Sequence, residues 1–352
     1  MSKHKNIKLG FSLIFIAILI VPNLILLTSE TDETKFPELS FNSLSKSIKD
    51  FNKYYDDNYG LKPELVDSYL KFKTQVLEDT PLPNRVIKGK DDWYFLGNQY
   101  NALYNDSFGN FDFTETELEQ IKEFLQNTRE VLAARGIDFY IVVPPNKHRV
   151  YTEMLPYQFQ HTNTRLETLN AYLKKEIDFE IIDLRDTIIA NKNMGQLYYK
   201  TDTHWNDVGA FLGYQKTMSI IAPDLPTVQL TEYTLENTSV KQGDITKMIN
   251  LKTNENEIIL RKNEPSQVKP LKTTHQFMRF KNNKRDKILV MYRDSFATSF
   301  IPFFNESFGE TIYKRGYPVD LAFLDHKKPD IVIFEVVERN LSLMLNRKKS
   351  PK

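Results

Sequence analysis

The chain contains no cysteine. Disulfides, thiolate nucleophiles and cysteine-containing zinc sites are therefore excluded, and the absence is compatible with an oxidising compartment. Histidine is scarce, six in 352 residues, with no HExxH or similar spacing, so no metal is expected. An excess of either charge is missing too: 47 basic and 46 acidic residues leave a formal net charge of +1. Without a strongly basic face, no nucleic-acid partner is expected. Short basic runs such as Lys281 to Lys287 read as solvated surface, and no internal repeat is visible.

What the chain does have begins at its amino end. Lys3, Lys5 and Lys8 precede a run from Leu9 to Ser29 that carries no charge. That run is long enough to cross a bilayer as a helix. Its basic flank should stay in the cytoplasm and send the rest across. The expected topology is single-pass, with the bulk of the chain on the far side of the membrane from the cytoplasm. A cleavable signal peptide is the rival reading, although the run is long for one and no small-x-small site follows LILLTSE. A buried helix of a soluble protein is the other. Removing Met1 to Glu30 leaves 44 basic and 45 acidic residues, so total charge says nothing about the polarity of a substrate.

Beyond the anchor (residues 1–29), residues 30–80 read as a polar tether and a helical lead-in packed against the main domain. Residues 81–345 form that domain, and 346–352 a basic tail. VIKGKDDWYFL, Val86 to Leu96, has the pattern of a hairpin around a GKDD turn. Thr114 and Glu117 form a capping box ahead of an amphipathic helix ending at Gly136. IDFYIVV then reads as a buried strand, Arg165 to Lys174 as a helix and Ile177 to Leu184 as another strand. A helix over Asp207 to Ile221, a strand over Asp286 to Met291, a helix near Val319 to His326 and a strand over Pro329 to Glu335 continue the rhythm. Such alternation predicts an α/β sandwich with a mostly parallel sheet. Residues 225–280 mix short β-like pieces with turns and read as an insertion.

Two stretches carry chemistry. YYKTDTHWNDVGAFLGY places Asp202 and His204 two residues apart, on one side if the segment is extended or together in a tight turn. A carboxylate that orients an imidazole can serve a serine through the other ring nitrogen. The candidate serine is Ser295 in MYRDSFATSF, just past the apolar run KILVM. There it would enter a helix at the carboxyl end of a strand, where open α/β sheets bind ligands and backbone N–H groups can hold an oxyanion. Each feature has a plainer reading, His204 and Trp205 as packing and Ser295 as a helix cap. Asn146, Lys147 and Arg149, beyond another strand end, are candidates for oxyanion or substrate contact. So are Arg293, Trp205 and, after the last strand, Arg339. Ordinary loop polarity is the alternative for Asn146 and its neighbours, and a structural pair with Glu338 for Arg339.

Taken in order, FNKYYDDNYGLKPELV, KGKDDWYFL, VVPPNKHRVYTEMLP, YYKTDTHWNDVGA, YRDSF and PDIVIFEVVER resemble the alginate O-acetyltransferase AlgJ/AlgX-like family. The resemblance implies an SGNH-hydrolase-like three-layer α/β/α sandwich with a mostly parallel sheet. It also implies a triad of Asp202, His204 and Ser295. The expected activity is acetyl transfer onto a secreted or cell-surface polysaccharide through an acetyl-serine. No cofactor is expected; a partner or an acetylated carrier would supply the acetyl donor, and a multispanning membrane-bound O-acyltransferase is the expected partner. The same triad in an acetylesterase, or a non-catalytic polysaccharide-binding subunit of an export complex, are the alternatives. Here Arg293-Asp294 precede the serine, so a standard GDSL signature is absent.

Overall fold

The computed structural model describes residues 2–28, 37, 43–77, 82–156, 163–240, 242–317 and 319–345. Apart from Pro37, the expected tether Thr31 to Leu39 lies outside the described residues, as do the tail 346–352 and His161. The chain divides into two compact units, Met1–Pro81 and Leu82–Lys352. The lead-in helices belong to the same unit as the amino-terminal helix.

The first unit contains α1 (Ser2–Thr28), α2 (Leu44–Asn58) and α3 (Lys62–Lys71), the last continued by a π-helical turn over Phe72–Val76. Within α1, Lys8–Leu26 is long and apolar enough to cross a membrane, consistent with a single anchoring or signal helix.

The second unit opens with the hairpin β1 (Val86–Lys88) and β2 (Tyr94–Leu96), in the register Val86 to Leu96. Next come α4 (Leu103–Ser107), α5 (Glu115–Ala133), β3 (Asp138–Val143), α6 (Lys147–Val150), α7 (Arg165–Ile177), β4 (Ile182–Asp183), α8 (Arg185–Ala190) and α9 (Asp207–Ile221). The capping box that starts α5 is formed in both directions between Thr114 and Glu117. The remainder comprises β5 (Tyr233–Val240), α10 (Asp244–Lys247), β6 (Glu255–Lys262), β7 (Lys269–Thr273), β8 (Phe277–Lys281), β9 (Ile288–Arg293), α11 (Ile301–Ser307), β10 (Glu310–Arg315), α12 (Leu321–Lys327) and β11 (Ile331–Glu335).

Seven strands form the main sheet in the order β4-β3-β11-β9-β10-β8-β7. The first five run parallel; β8 and β7 add on antiparallel. The sheet is therefore mixed. Its antiparallel edge comes from the segment read as an insertion, which also folds back as the β5–β6 hairpin.

Strand periodicity builds the three layers. Leu289, Met291, Ile331 and Ile333 point into one core, against α9 and α11 residues such as Phe211, Tyr214, Phe303 and Phe304. Their neighbours Val290, Tyr292, Val332 and Phe334 point into the other, against α5 and α7 through Ile121, Leu125, Leu166 and Leu169. Side chains alternate across a strand, so parallel strands apolar at every position need helices on both faces. The loops after β3, β9 and β11 consequently emerge at the same edge of the sheet.

Candidate active site

Asp202 and His204 sit in a tight turn rather than an extended segment. Tyr198 and Trp205 form an antiparallel bridge that closes it, and the Tyr199 N–H donates to the His204 carbonyl at 3.2 Å. Asn206 then caps α9, its side chain accepting the Gly209 N–H at 3.0 Å. Within the turn, Asp202 Oδ1 accepts from His204 Nδ1 at 2.6 Å and from the His204 backbone N–H at 3.0 Å.

Ser295 follows β9, at the carboxyl end of the sheet. Asp294 shapes its turn: Oδ1 accepts the Phe296 N–H at 2.9 Å, and Oδ2 accepts the Val337 N–H at 2.9 Å. Ser295 Oγ lies 2.8 Å from His204 Nε2. One chain of hydrogen bonds therefore runs from Asp202 through His204 to Ser295, the histidine and the serine standing 91 positions apart in sequence. With Nδ1–H committed to Asp202, Nε2 is the acceptor for the serine hydroxyl.

Trp205 joins the two segments. It is fully buried; Nε1 donates to the Phe296 carbonyl at 3.1 Å, and its ring packs edge-on against Phe300. Burying a side chain of that size contributes roughly 4–6 kcal/mol. Trp205 is thus a strut of the core, and the expectation of substrate contact is corrected. Phe296 in turn packs against the His204 ring at 4.8 Å.

Sequence reasoning missed Asp244, at the start of α10 in the presumed insertion. Gly243 lies so close to the turn that a Cβ there would fall 2.2 Å from the Thr201 carbonyl oxygen; only glycine allows that approach. Asp244 accepts the Thr203 N–H at 2.7 Å and the Thr203 hydroxyl at 2.6 Å, and its own N–H donates to Asp202 Oδ2 at 2.8 Å. Asp244 Oδ2 is 3.7 Å from His204 Nδ1. Burial alone would raise the Asp202 pKa. The hydrogen bond and charge of His204, with the two backbone N–H donors, instead hold it well below the usual carboxylate range. Asp244 is pushed up, first by burial and then by the Asp202 charge. Asp202, His204 and Asp244 also present ligand atoms within 4.8 Å of one another, a grouping compatible with a cation. Hydrogen bonds to Thr203 and to backbone N–H groups already engage those carboxylates.

Three cationic candidates are committed to the scaffold instead of to an open cleft. Lys147 is buried, and Nζ donates to the carbonyls of Tyr199, Lys200 and Asp202 at 3.0, 3.1 and 2.7 Å. It also lies over the Phe95 ring at 5.1 Å. Burial lowers its pKa to about 7. Its role is to clamp the turn that carries Asp202. Arg149 is buried, donating to the Ser107 carbonyl at 3.2 Å and facing Glu167 Oε2 at 3.6 Å. Arg293 is buried under the serine turn, donating to the Asp294 carbonyl at 2.8 Å and to Thr298 Oγ1 at 3.3 Å. Each side chain lies too deep for the substrate contact the sequence suggested.

Asn146 and Arg339 differ. The Asn146 backbone N–H donates to Glu338 Oε2 at 2.8 Å, yet neither atom of its buried amide has a partner among the described residues. Its strand is separated from that of Ser295 by β11 alone, about 10 Å at the usual strand spacing. Arg339 is half-buried, its guanidinium over the Phe296 ring at 5.1 Å. Burial lowers its pKa, and the charges of Asp294 and Asp244 partly offset that. Among the described residues no hydrogen bond occupies that guanidinium.

A family model described as "SGNH hydrolase-like domain, acetyltransferase AlgX" matches residues 86–291. Asp202 and His204 fall inside that span, and Ser295 just beyond it. The chain is similar to the probable alginate O-acetylase AlgJ of Pseudomonas syringae pv. tomato, 25% identical over 177 residues, 47% of this chain and 41% of that protein. The probable alginate O-acetylase AlgJ of Pseudomonas fluorescens is 26% identical over 151 residues, 40% of this chain and 34% of that one. The chain thus spans about two fifths of the length of these curated relatives. Among solved structures, Bacillus cereus PatB1 superposes with a TM-score of 0.56 at 20% identity, covering 75% of this chain and 99% of that one, which supports the fold. The structure of PatB1 with a sulfonyl adduct gives 0.57, at 20% identity and 75% and 98% coverage.

Proposed function

The chain belongs to the SGNH-hydrolase-like AlgJ/AlgX family, and from that premise we propose that it is a serine-dependent O-acetyltransferase acting on hydroxyl groups of a secreted or cell-surface polysaccharide. The observation that carries the reading is the unbroken hydrogen-bond chain from Asp202 through His204 to Ser295, at 2.6 and 2.8 Å.

The chemistry follows from it. Ser295 Oγ bonds to the carbonyl carbon of an acetyl ester while His204 Nε2 takes the hydroxyl proton. The tetrahedral intermediate collapses; the bond to the donor oxygen breaks, and His204 returns the proton to that oxygen. An acetyl-serine remains. A sugar hydroxyl then gives its proton to His204 as its oxygen attacks the acetyl carbonyl. The ester passes to the sugar and the proton goes back to Ser295. Asp202 stays ionised throughout, which its low pKa favours, and stabilises the imidazolium formed in each half.

Arg339 is the proposed substrate-side group, since its guanidinium borders the Phe296–His204 ring pair and holds no hydrogen bond among the described residues. The orphaned Asn146 amide is the second candidate contact. The charged basic flank and apolar α1 support a single-pass inner-membrane anchor, with this unit outside the cytoplasm. A multispanning membrane-bound O-acyltransferase, or an acetylated carrier, would deliver the acetyl group there, and no cofactor enters the scheme.

The test is incubation of the full chain, in detergent, with p-nitrophenyl acetate and oligosaccharides. Acetylated oligosaccharide in the mass spectrum of the products, lost with Ser295→Ala, is the expected result. Acetate release with no acetylation of any sugar would replace transfer by hydrolysis. A sulfonyl fluoride, which is attacked by activated serine hydroxyls, would serve as a label for Ser295.

A further inference from the structure

The unit Met1–Pro81 holds a second feature. On α2, Leu44, Ile48, Phe51 and Tyr55 recur at helical spacing and form one stripe, with Lys46, Lys49, Asp50 and Lys53 on the remaining surface. Leu44 and Ile48 are each more than half exposed, at 58% and 52%. Val66 on α3, and Phe72 and Val76 on the turn that continues it, are exposed as well. Water is a poor environment for so many apolar side chains gathered in 35 residues.

The contacts of α2 with α1 indicate what covers them. The Tyr55 hydroxyl, on the apolar stripe, donates to Asn23 Oδ1 at 2.9 Å. One turn later the Tyr59 hydroxyl reaches the Ile18 carbonyl at 3.5 Å. Pro22 stands four residues after Ile18 and has no N–H, so that carbonyl lacks its helical partner. Gly60 sits directly on the same turn: a Cβ there would fall 2.5 Å from the Pro22 carbonyl oxygen and 2.8 Å from the Ile25 Cβ. All four α1 residues lie inside the apolar run Lys8–Leu26. With Lys8 on the cytoplasmic side, Ile18 stands about 12 Å short of the outer end of that run, at 1.5 Å per residue. The carboxyl end of α2 is therefore held at the depth of the bilayer.

We propose that α2 and α3 form a collar that descends along the anchor into the outer leaflet of the lipid bilayer, with their apolar stripes against the acyl chains. The inference rests on the reading of α1 as a membrane span. Tyr55 and Tyr59, bonded to Asn23 and Ile18, then lie beside the anchor within that leaflet. Three lysines and three aspartates cancel on α2, so apolar burial and not attraction to anionic lipid holds the collar down.

The absence of native cysteine allows a clean test with the full chain in phosphatidylethanolamine–phosphatidylglycerol vesicles. Single variants Ile48→Cys and Phe72→Cys carry a nitrobenzoxadiazole label. Ile14→Cys in the span, Lys49→Cys on the polar face and Met194→Cys in the other unit serve as references. A lipid-borne nitroxide should quench the labels at 48 and 72 severalfold more than those at 49 and 194, and high salt should not change this. Positions 48 and 72 quenched only from the water, with 14 still reached from lipid, would overturn the collar and leave the anchor standing. Position 14 reached from water would overturn both. Shielding of 48 and 72 from both quenchers would mean a protein covers them, and would overturn the lipid assignment.

Discussion

Replacing Asp244 by asparagine should isolate the effect of one charge. The asparagine carbonyl can still accept the Thr203 N–H, and its amide can donate to the Thr203 hydroxyl oxygen, so both contacts survive with the hydroxyl proton turned. What disappears is a negative charge 3.7 Å from His204 Nδ1. At that distance a charge pair is worth about 1 kcal/mol at the dielectric constant of water and about 4.5 kcal/mol at an effective value of 20. The Asp244 side chain is 37% exposed, which favours the watery end. A loss of about 1–2 kcal/mol of imidazolium stabilisation lowers kcat roughly 5- to 30-fold. Because an anion near the imidazole favours its protonated form, the acid limb of the kcat/KM profile should move to lower pH in Asp244→Asn. The assay is steady-state release of p-nitrophenol from p-nitrophenyl acetate between pH 5 and about 9, on folded protein. Wild-type kinetics with an unmoved profile would refute the electrostatic role. A loss as large as that of Asp202→Asn would transfer the orienting role to Asp244.

Asp202→Asn should cost about 10³–10⁴ in kcat. Both carboxylate oxygens accept only N–H donors, so either placement of the amide group faces a donor; the same assay checks it. Gly243→Ala should reduce activity at least as much as Asp244→Asn and lower the melting temperature, because its Cβ meets the Thr201 backbone at 2.2 Å and the start of α10 must move. Lys147 gives a signed pH effect. Between about 7 and its ordinary 10.5 the unfolded chain holds a proton there that the folded chain does not, so stability rises with pH across that window. The rise is roughly 3–5 kcal/mol. Denaturation midpoints in detergent at both ends of the window should show it in the wild type and not in Lys147→Met; equal slopes would mean that Lys147 is not desolvated.

Most of the scaffold could be read directly because its elements are locally marked. The Thr114–Glu117 box, the stop at Gly136 and the helix over Asp207–Ile221 all announce themselves in a few residues. The strand after α7 was over-read: Phe179 and Ile181 are buried, but only Ile182 and Asp183 pair with β3. Burial and strand pairing leave the same apolar signature. β10 went unread because TIYKR lacks the unbroken apolar run of its neighbours, although it lies between β9 and β8. At the site, Asp-x-His and the serine after KILVM were visible as types and spacings. Their meeting depends on Trp205, whose bond to Phe296 spans 91 residues and leaves no local trace. Asp244 was hidden for the same reason: an aspartate after glycine looks like any turn until the glycine is seen against Thr201. Lys147, Arg149 and Arg293 look like loop polarity in a sequence, and only their burial shows that the fold has used them.

The most direct measurement is mass mapping of the full chain quenched within its first turnovers on an acetyl ester, without acceptor. The account predicts one acetyl group on Ser295, absent from Ser295→Ala and discharged when acceptor oligosaccharide is added. Acetyl on Thr298 or Ser299, or undiminished acetate release by Ser295→Ala, would contradict it.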